Sequence, residues 1–327
     1  MTGLAPMTTT DDLPLELVIA RADDAADGVR RFELRDAGGA ELPPFTAGSH
    51  VTIEVPGGER RKYSLCNDPS ERDRYEIAVK RDTTGRGASV RFVDAVRVGD
   101  RLRASRPDNA FALDEQAPAA IFIAGGIGIT PILAMIRSLE ARGMTSWKLY
   151  YLVRDRASAA FLDVLEGGDR ASRVRVHADG GDPGRSFDLW PVLEKPTRAH
   201  VYCCGPRPLM DAVRDMTGHW PTGSIHFESF VEGAALARPE DKPFVVRLAR
   251  SGGEVAVPAG VTILEALRRA GLRVESSCES GTCGTCRTGL VAGEPEHRDL
   301  VLMPDEQGSA IMVCVSRARS DELVLDL

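Results

Sequence analysis

The chain has 327 residues, a formal charge of −7, and 43% hydrophobic against 27% charged residues. That length suggests about two or three domains, and the composition excludes wholesale disorder. No apolar run approaches the roughly 20 residues needed to cross a bilayer, and the acidic balance argues against nucleic acid as a partner.

Met1 to Asp12 lacks the charged-then-apolar pattern of a secretory signal and is expected to form a flexible leader. Seven cysteines, an odd number without disulfide-scaffold spacing, fit a reducing cytoplasm.

From Leu13 to Asp114, short alternating runs such as Leu15–Ala20, His50–Val55, Tyr75–Lys80 and Arg101–Ala104 are separated by Gly, Pro and Asp clusters. Period-two alternation broken in this way predicts an antiparallel barrel or sandwich. Within it, Arg61-Lys62-Tyr63-Ser64-Leu65 places a fixed cation, an aromatic ring and a hydroxyl on one strand. Gly85-Arg86-Gly87-Ala88-Ser89 is a glycine-rich loop in which Ser89 is expected to cap a short helix. The free amides of such a helix start would seat a phosphate.

R-x-Y-S-L, an A-V-K strand and a G-R-G-x-S loop together resemble the flavin barrel of the phthalate dioxygenase reductase family. The resemblance implies FMN, with Arg61, Gly87 and Ser89 at its phosphate. Tyr63 would lie along the ring system, Ser64 near its reactive nitrogen, and Ala78, Val79 and Lys80 around the ring and ribityl chain. One departure is Ala110, where relatives often carry a bulkier residue, which leaves the edge of the flavin pocket open.

The pattern changes over residues 115–230. Ala119–Ala124 is a continuous apolar run of the kind found in buried parallel strands. It breaks at Gly125-Gly126-Ile127-Gly128 and restarts as a helix, with Thr130 as cap and Pro131 as first helical residue. Further strands are expected at Lys148–Val153, Arg173–His177, His200–Cys204 and Ile225–Phe230, with a helix from Pro208 to about Met216. The alternation predicts a doubly wound parallel sheet. The glycine spacing is not the standard G-x-G-x-x-G fingerprint, but bare backbone turning into a helix start serves the same end. Cys203-Cys204-Gly205-Pro206-Arg207-Pro208-Leu209-Met210 forms a second loop at a strand end. The two loops should flank the crevice where ligands sit in open α/β sheets.

G-G-I-G-I-T-P with C-G-P-x-x-L-M is similar to the nicotinamide half of ferredoxin–NADP reductase-like proteins. The similarity implies an NAD site at Gly125, Gly126, Gly128, Thr130, Pro131, Gly205, Pro206 and Met210, with Cys204 at the loop mouth helping to orient hydride transfer. Cys203 reads as a small core residue. Glu228-Ser229-Phe230 resembles the family's E-x-F ending, whose aromatic would lie close to the flavin. Arg154 and Asp155 stand where NADH and NADPH are distinguished, and NADH is expected from the family.

Residues 231–241 read as a linker. Beyond it, Pro243–Ala249 and Glu254–Pro258 predict a hairpin turning at Ser251-Gly252-Gly253. Thr262-Ile263-Leu264-Glu265 predicts a capping box opening a helix that ends at Gly271. Arg268, Arg269 and Arg287 read as a solvated face rather than a docking surface. Cys278, Cys283 and Cys286, followed by Cys314, have the C-x4-C-x2-C…C spacing of plant-type iron–sulfur sites. Gly281 and Gly284 would let the loop wrap a metal, and neighbouring amides would tune its sulfurs. Structural zinc usually takes two short-spaced pairs, and only one is present. The order of elements resembles plant-type ferredoxin, a β-grasp fold.

The expected architecture is therefore multidomain. A flavin β-barrel (13–114) precedes an α/β nucleotide domain (115–230), a linker (231–241) and a β-grasp 2Fe–2S domain (242–327). NADH supplies two electrons as hydride, a 2Fe–2S cluster moves one at a time, and a flavin between them reconciles the two. The family resemblance implies a monomeric reductase delivering electrons to a Rieske-type aromatic-ring oxygenase. Two other readings remain: a reductase of another acceptor, such as a cytochrome monooxygenase or free ferredoxin, and a zinc-stabilised binding protein.

Overall fold

The computed structural model describes residues 12–84, 87–231 and 237–327. The leader to Asp11, Gly85-Arg86 of the glycine-rich loop and the middle of the linker lie outside them. Among the described residues no helix is long and apolar enough to cross a membrane.

The first sheet has six strands: β1 (Leu15–Ala26), β2 (Val29–Asp36), β3 (His50–Glu54), β4 (Arg60–Ser64), β5 (Tyr75–Lys80) and, after helix α1 (Ala88–Ala95), β6 (Arg101–Ala104). They run in the order β4-β3-β6-β1-β2-β5, with β1–β2, β1–β6, β2–β5, β3–β4 and β3–β6 all antiparallel. Alternation explains the core. Leu17 and Ile19 of β1, Phe32 and Leu34 of β2, and Val51 and Ile53 of β3 all turn inward and are buried. Helix α1 plugs the interior with Phe92, whose ring meets Phe32 edge-on at 5.1 Å. Gly87, at φ 83°, caps that helix. Ser89, expected in that role, already lies within the first turn. Its hydroxyl instead bonds the amide and carbonyl of Asp82 across the loop at 3.1 and 3.3 Å.

The second sheet holds β7 (Ala120–Gly125), then, after α2 (Ile129–Ala141), β8 (Trp147–Val153). After α3 (Leu162–Leu165) comes β9 (Val174–Ala178), and after α4 (Trp190–Leu193) comes β10 (His200–Cys204). Helix α5 (Arg207–Thr217) then leads to β11 (Ile225–Glu228). Its order is β11-β10-β7-β8-β9. Strand β10 pairs in parallel with β7 and β11, as β8 does with β9. Helix α2 starts one residue before the expected cap, at Ile129 with Gly128 as its cap. Thr130 is instead inside the first turn, its hydroxyl donating back to Ile127 O at 3.0 Å.

The third sheet comprises β12 (Phe244–Leu248), β13 (Glu254–Val257), β14 (Arg287–Glu296), β15 (Ala310–Met312) and β16 (Arg317–Leu325), with α6 (Ile263–Arg269) following β13. The order is β13-β12-β16-β14-β15, with β12 and β16 parallel. Thr262 Oγ1 accepts from Glu265 N at 3.1 Å, one half of the expected box. The Glu265 carboxylate turns instead to Arg269 one turn on.

Two compact units partition the chain: Met1–Glu115 with Gly126–Phe187, and Gln116–Gly125 with Asp188–Leu327. The first therefore holds the barrel with α2, β8 and β9. The second holds β7, β10 and β11 with the third sheet.

Candidate functional site

In the first unit, β4 presents the R-x-Y-S run. Register places Arg61 opposite Ile53, Tyr63 opposite Val51 and Ser64 opposite His50. Tyr63 is half-buried, 5.3 Å from the Phe92 ring, and burial pushes its phenol above the ordinary range. Ser64 is buried. Arg61 reaches Glu59 at 3.2 Å, and Arg91 of α1 reaches the same carboxylate at 2.7 Å. Two guanidinium groups thus gather beside the Gly87 helix start, a setting suited to phosphate. Ala78 and Val79 are buried in β5, and Lys80 at its end is exposed.

Periodicity gave no sign of Glu76, a buried carboxylate in β5. It accepts from Arg137 of α2 at 3.1 Å, while the same nitrogen donates to the carbonyl of Cys66 at 2.6 Å. Two partners 61 and 71 residues from Arg137 thereby tie α2 to the barrel. Also in this unit, Arg154 and Asp155 follow β8. Asp155 is exposed and accepts from Ser158 N at 2.8 Å, which holds its carboxyl below the usual range.

In the second unit the C-terminal ends of three strands line up, with Ala124, Cys204 and Glu228 in register. Gly125 sits where a Cβ would meet Pro206 Cδ at 2.5 Å and the Gly205 Cα at 3.1 Å. Only glycines let these two turns approach so closely. Pro206 caps α5, and Met210 is buried one turn in. Cys204 does not stand open at a loop mouth, as expected; it is fully buried, and burial with the Glu228 charge pushes its thiol well up. Cys203 is buried as well. Phe230, just past β11, is 44% exposed.

The cysteine loop is built differently. Glu279 at φ 53° and Gly281 at φ 75° bend it back on itself. A side chain at Gly281 would come within 2.6 Å of Val315 Cγ2. Arg268, expected to lie free on a solvated face, holds the loop by bonding Ser276 Oγ and Glu279 Oε1. Arg287 pairs with Glu306 at 3.0 Å. Ser280 N and Thr282 N point at Cys278 Sγ from 3.4 and 3.5 Å. The thiols associate in two pairs: Cys278 with Cys283, and Cys286 with Cys314. Hydrogen bonds from Cys283, Ser280 and Thr282 pull Cys278 down to about 4, and Cys314 lowers Cys286 in the same way.

Among the described residues no group of three or more His, Cys, Asp or Glu converges as a single ion would require. Two thiol pairs in a loop of inward amides suit a centre of two irons, each taking two thiolates. The donor set therefore fits a 2Fe–2S cluster.

These features define a class: an NADH-dependent iron–sulfur flavoprotein oxidoreductase carrying FMN and a 2Fe–2S cluster. The profile of the 2Fe-2S iron-sulfur cluster binding domain matches residues 246–319. The chain is 56% identical to the phthalate dioxygenase reductase of Burkholderia cepacia, over 98% of this chain and 99% of that one. It is 55% identical to the phthalate 4,5-dioxygenase oxygenase reductase subunit of Pseudomonas putida, over 95% of each. A solved phthalate dioxygenase reductase, described as a modular structure for electron transfer from pyridine nucleotides to [2Fe-2S], superposes with a TM-score of 0.68. It shares 55% identity and covers 96% of this chain and 98% of its own. The chain belongs to the phthalate dioxygenase reductase family.

Proposed function

We propose that the protein takes hydride from NADH, passes the electrons through FMN to the 2Fe–2S cluster, and delivers them singly to a Rieske-type oxygenase acting on an aromatic ring. Segments 13–114, 115–230 and 242–327 serve as flavin, nucleotide and cluster modules, with 231–241 joining the last two. The observation that carries this reading is the C-x4-C-x2-C…C set of Cys278, Cys283, Cys286 and Cys314 in a loop whose Ser280 and Thr282 amides point at sulfur. The oxygenase systems to which the relatives' names assign them support the partner class.

Arg61, with the amides at Gly87 and Ser89, holds the FMN phosphate. Tyr63 packs along the ring system, Ser64 donates to its reactive nitrogen, and Ala78, Val79 and Lys80 line its edge. Phe230 offers an open aromatic face. Bound flavin accepts a hydride and releases electrons one at a time. On the nucleotide side, Gly125 and Gly205 clear side chains from the backbone that meets NADH, and Pro206 and Met210 fix the start of α5. Gly126, Gly128, Thr130 and Pro131 form the turn into α2. Cys204 packs against the nicotinamide from within the sheet, as a small polarisable surface and not as an ionised thiol, because burial keeps it protonated. Asp155 accepts from the free ribose hydroxyls of NADH, with Arg154 beside it. The four cysteine thiolates hold the irons while Ser280 and Thr282 amides stabilise charge on sulfur. The cysteine usage supports a cytoplasmic location, and the protein acts as a monomer.

The test is to mix the NADH-reduced protein anaerobically with purified oxidised aromatic-ring oxygenases, and in parallel with a cytochrome monooxygenase and a free ferredoxin. Rapid reoxidation of the cluster by a Rieske oxygenase is expected. Reoxidation only by the cytochrome or the ferredoxin would assign a different acceptor.

A further inference from the structure

We propose that Arg207 and Arg214 of α5 are positioning residues that latch the cluster module to the nucleotide-binding helix, so that electron entry into the cluster depends on them. The proposal rests on the electron-transfer reading above. The two arginines lie seven residues apart, two turns along one helix face. Arg207 Nε is held by both Asp211 oxygens at 3.0 Å. This aims its Nη1 at the carbonyl of Arg298, 2.8 Å away and 91 residues on. Arg214 Nη1 donates to the next carbonyl, Asp299 O, at 3.2 Å. Surface arginines ordinarily reach water or a nearby carboxylate. Two that converge on consecutive main-chain carbonyls of another module form a specific contact.

The segment they grip is fixed from every other side. Arg298 is buried and bonds Asp241 and Glu296 through its side chain, with its Nη2 2.5 Å from Asp241 Oδ1. Asp241, at the end of the linker, is thereby anchored and is not a free tether. The buried Asp299 carboxylate accepts from Val301 N and Leu302 N at 3.1 and 2.8 Å, and Ser316 Oγ lies 3.4 Å from its other oxygen. Leu300 N donates to Gly281 O at 2.9 Å, and a Cβ on Gly281 would lie 3.1 Å from Asp299 Cα. One short backbone stretch therefore touches α5 and also braces the bend of the cysteine loop. Helix α5 itself starts at Pro206, packed against Gly125. Nucleotide turn, helix, carbonyl pair and cysteine loop form a continuous chain of contacts.

In each transfer the reduced flavin would lose one electron and the cluster gain one; the cluster would pass that electron to the oxygenase before taking the second, and the flavin's proton would leave to water. The latch acts on the geometry of these transfers and not on the hydride step.

The experiment compares full-length holoprotein with the Arg207→Ala/Arg214→Ala double variant. Hydrogen exchange is expected to speed up by about tenfold at the amides of residues 298–302, the scale of losing one charge-assisted hydrogen bond. In stopped flow, flavin bleaching by NADH should be unchanged and the following cluster reduction about tenfold slower. Iron content and the electron paramagnetic resonance of the reduced cluster should match the parent. Arg207→Lys/Arg214→Lys, which restores donors, should recover much of the rate. Unchanged exchange and unchanged cluster reduction would overturn the latch. So would lost iron or an altered resonance, which would make the arginines merely structural. If NADH fails to reduce the parent's cluster at all, the electron-transfer reading falls, and the exchange arm still decides the contact.

Discussion

Two groups of cysteines in one chain sit in different surroundings. Cys203 and Cys204 end a parallel strand inside a sheet, where apolar burial raises both thiols far above their ordinary range. Cys278 and Cys286 are also largely enclosed, yet both are lowered, first by a neighbouring thiol and, at Cys278, by loop hydroxyls and amides as well, while the donating thiols of the two pairs, Cys283 and Cys314, are raised. Burial alone makes a cysteine inert. Burial with donors aimed at sulfur makes it a metal ligand. Sheet geometry supplies the first environment, because strand amides are spent on neighbouring strands. The second needs a loop whose amides have no ladder to join, which is why positive φ at Glu279 and Gly281 matters.

The comparison breaks most sharply at Cys283. Cys283→Ser should lose iron entirely while NADH still bleaches the flavin, as read by iron assay and anaerobic spectra. Next in size is the scaffold beneath the loop. Asp241, Arg298 and Arg317 bury their side chains to 2, 5 and 5% exposure around one carboxylate. Asp241→Ala leaves Arg298 with Glu296 alone and takes the carboxylate from buried Arg317, and should destabilise the cluster module by about 3 kcal/mol, measured by the urea concentration at which the cluster band is lost. A smaller effect tests a region remote in sequence from both thiol groups. Arg61→Ala should raise the FMN dissociation constant about tenfold, or about 1.4 kcal/mol, with iron content untouched, as fluorescence titration would show. Smallest of all, Cys204→Ala should slow flavin reduction by NADH about fourfold, the packing of one methylene-sized group, again with full iron. Were Cys204→Ala to shed iron, the division between the two thiol environments would be wrong.

Much of this was legible in sequence because it is local. Alternation in β1 and β3, the apolar run of β7 and the Cys278–Cys286 spacing each depend on residues a few positions apart. The caps at Gly87 and Gly128 each lie two residues before the expected Ser89 and Thr130, since a serine or threonine near a helix start serves several bonding patterns. What could not be read was whatever joins distant segments. Glu76 with Arg137, Asp241 with Arg298, and Arg207 with the Arg298 carbonyl span 61, 57 and 91 residues. No periodicity records such a pairing. The burial of Cys204 belongs here too, because a residue at a strand's end shows its cover only once Glu228 is placed beside it. Charged residues predicted to be solvated were the least legible: Arg268 looks like any surface arginine until Glu279 and Ser276 are found beside it.

The most direct measurement is an anaerobic titration of the purified holoprotein with NADH, followed by visible absorption and by electron paramagnetic resonance. Flavin and iron–sulfur bands should both bleach, with a reduced 2Fe–2S signal appearing as electrons leave the flavin. A colourless protein carrying one zinc on Cys278, Cys283, Cys286 and Cys314, inert to NADH, would contradict the electron-transfer reading.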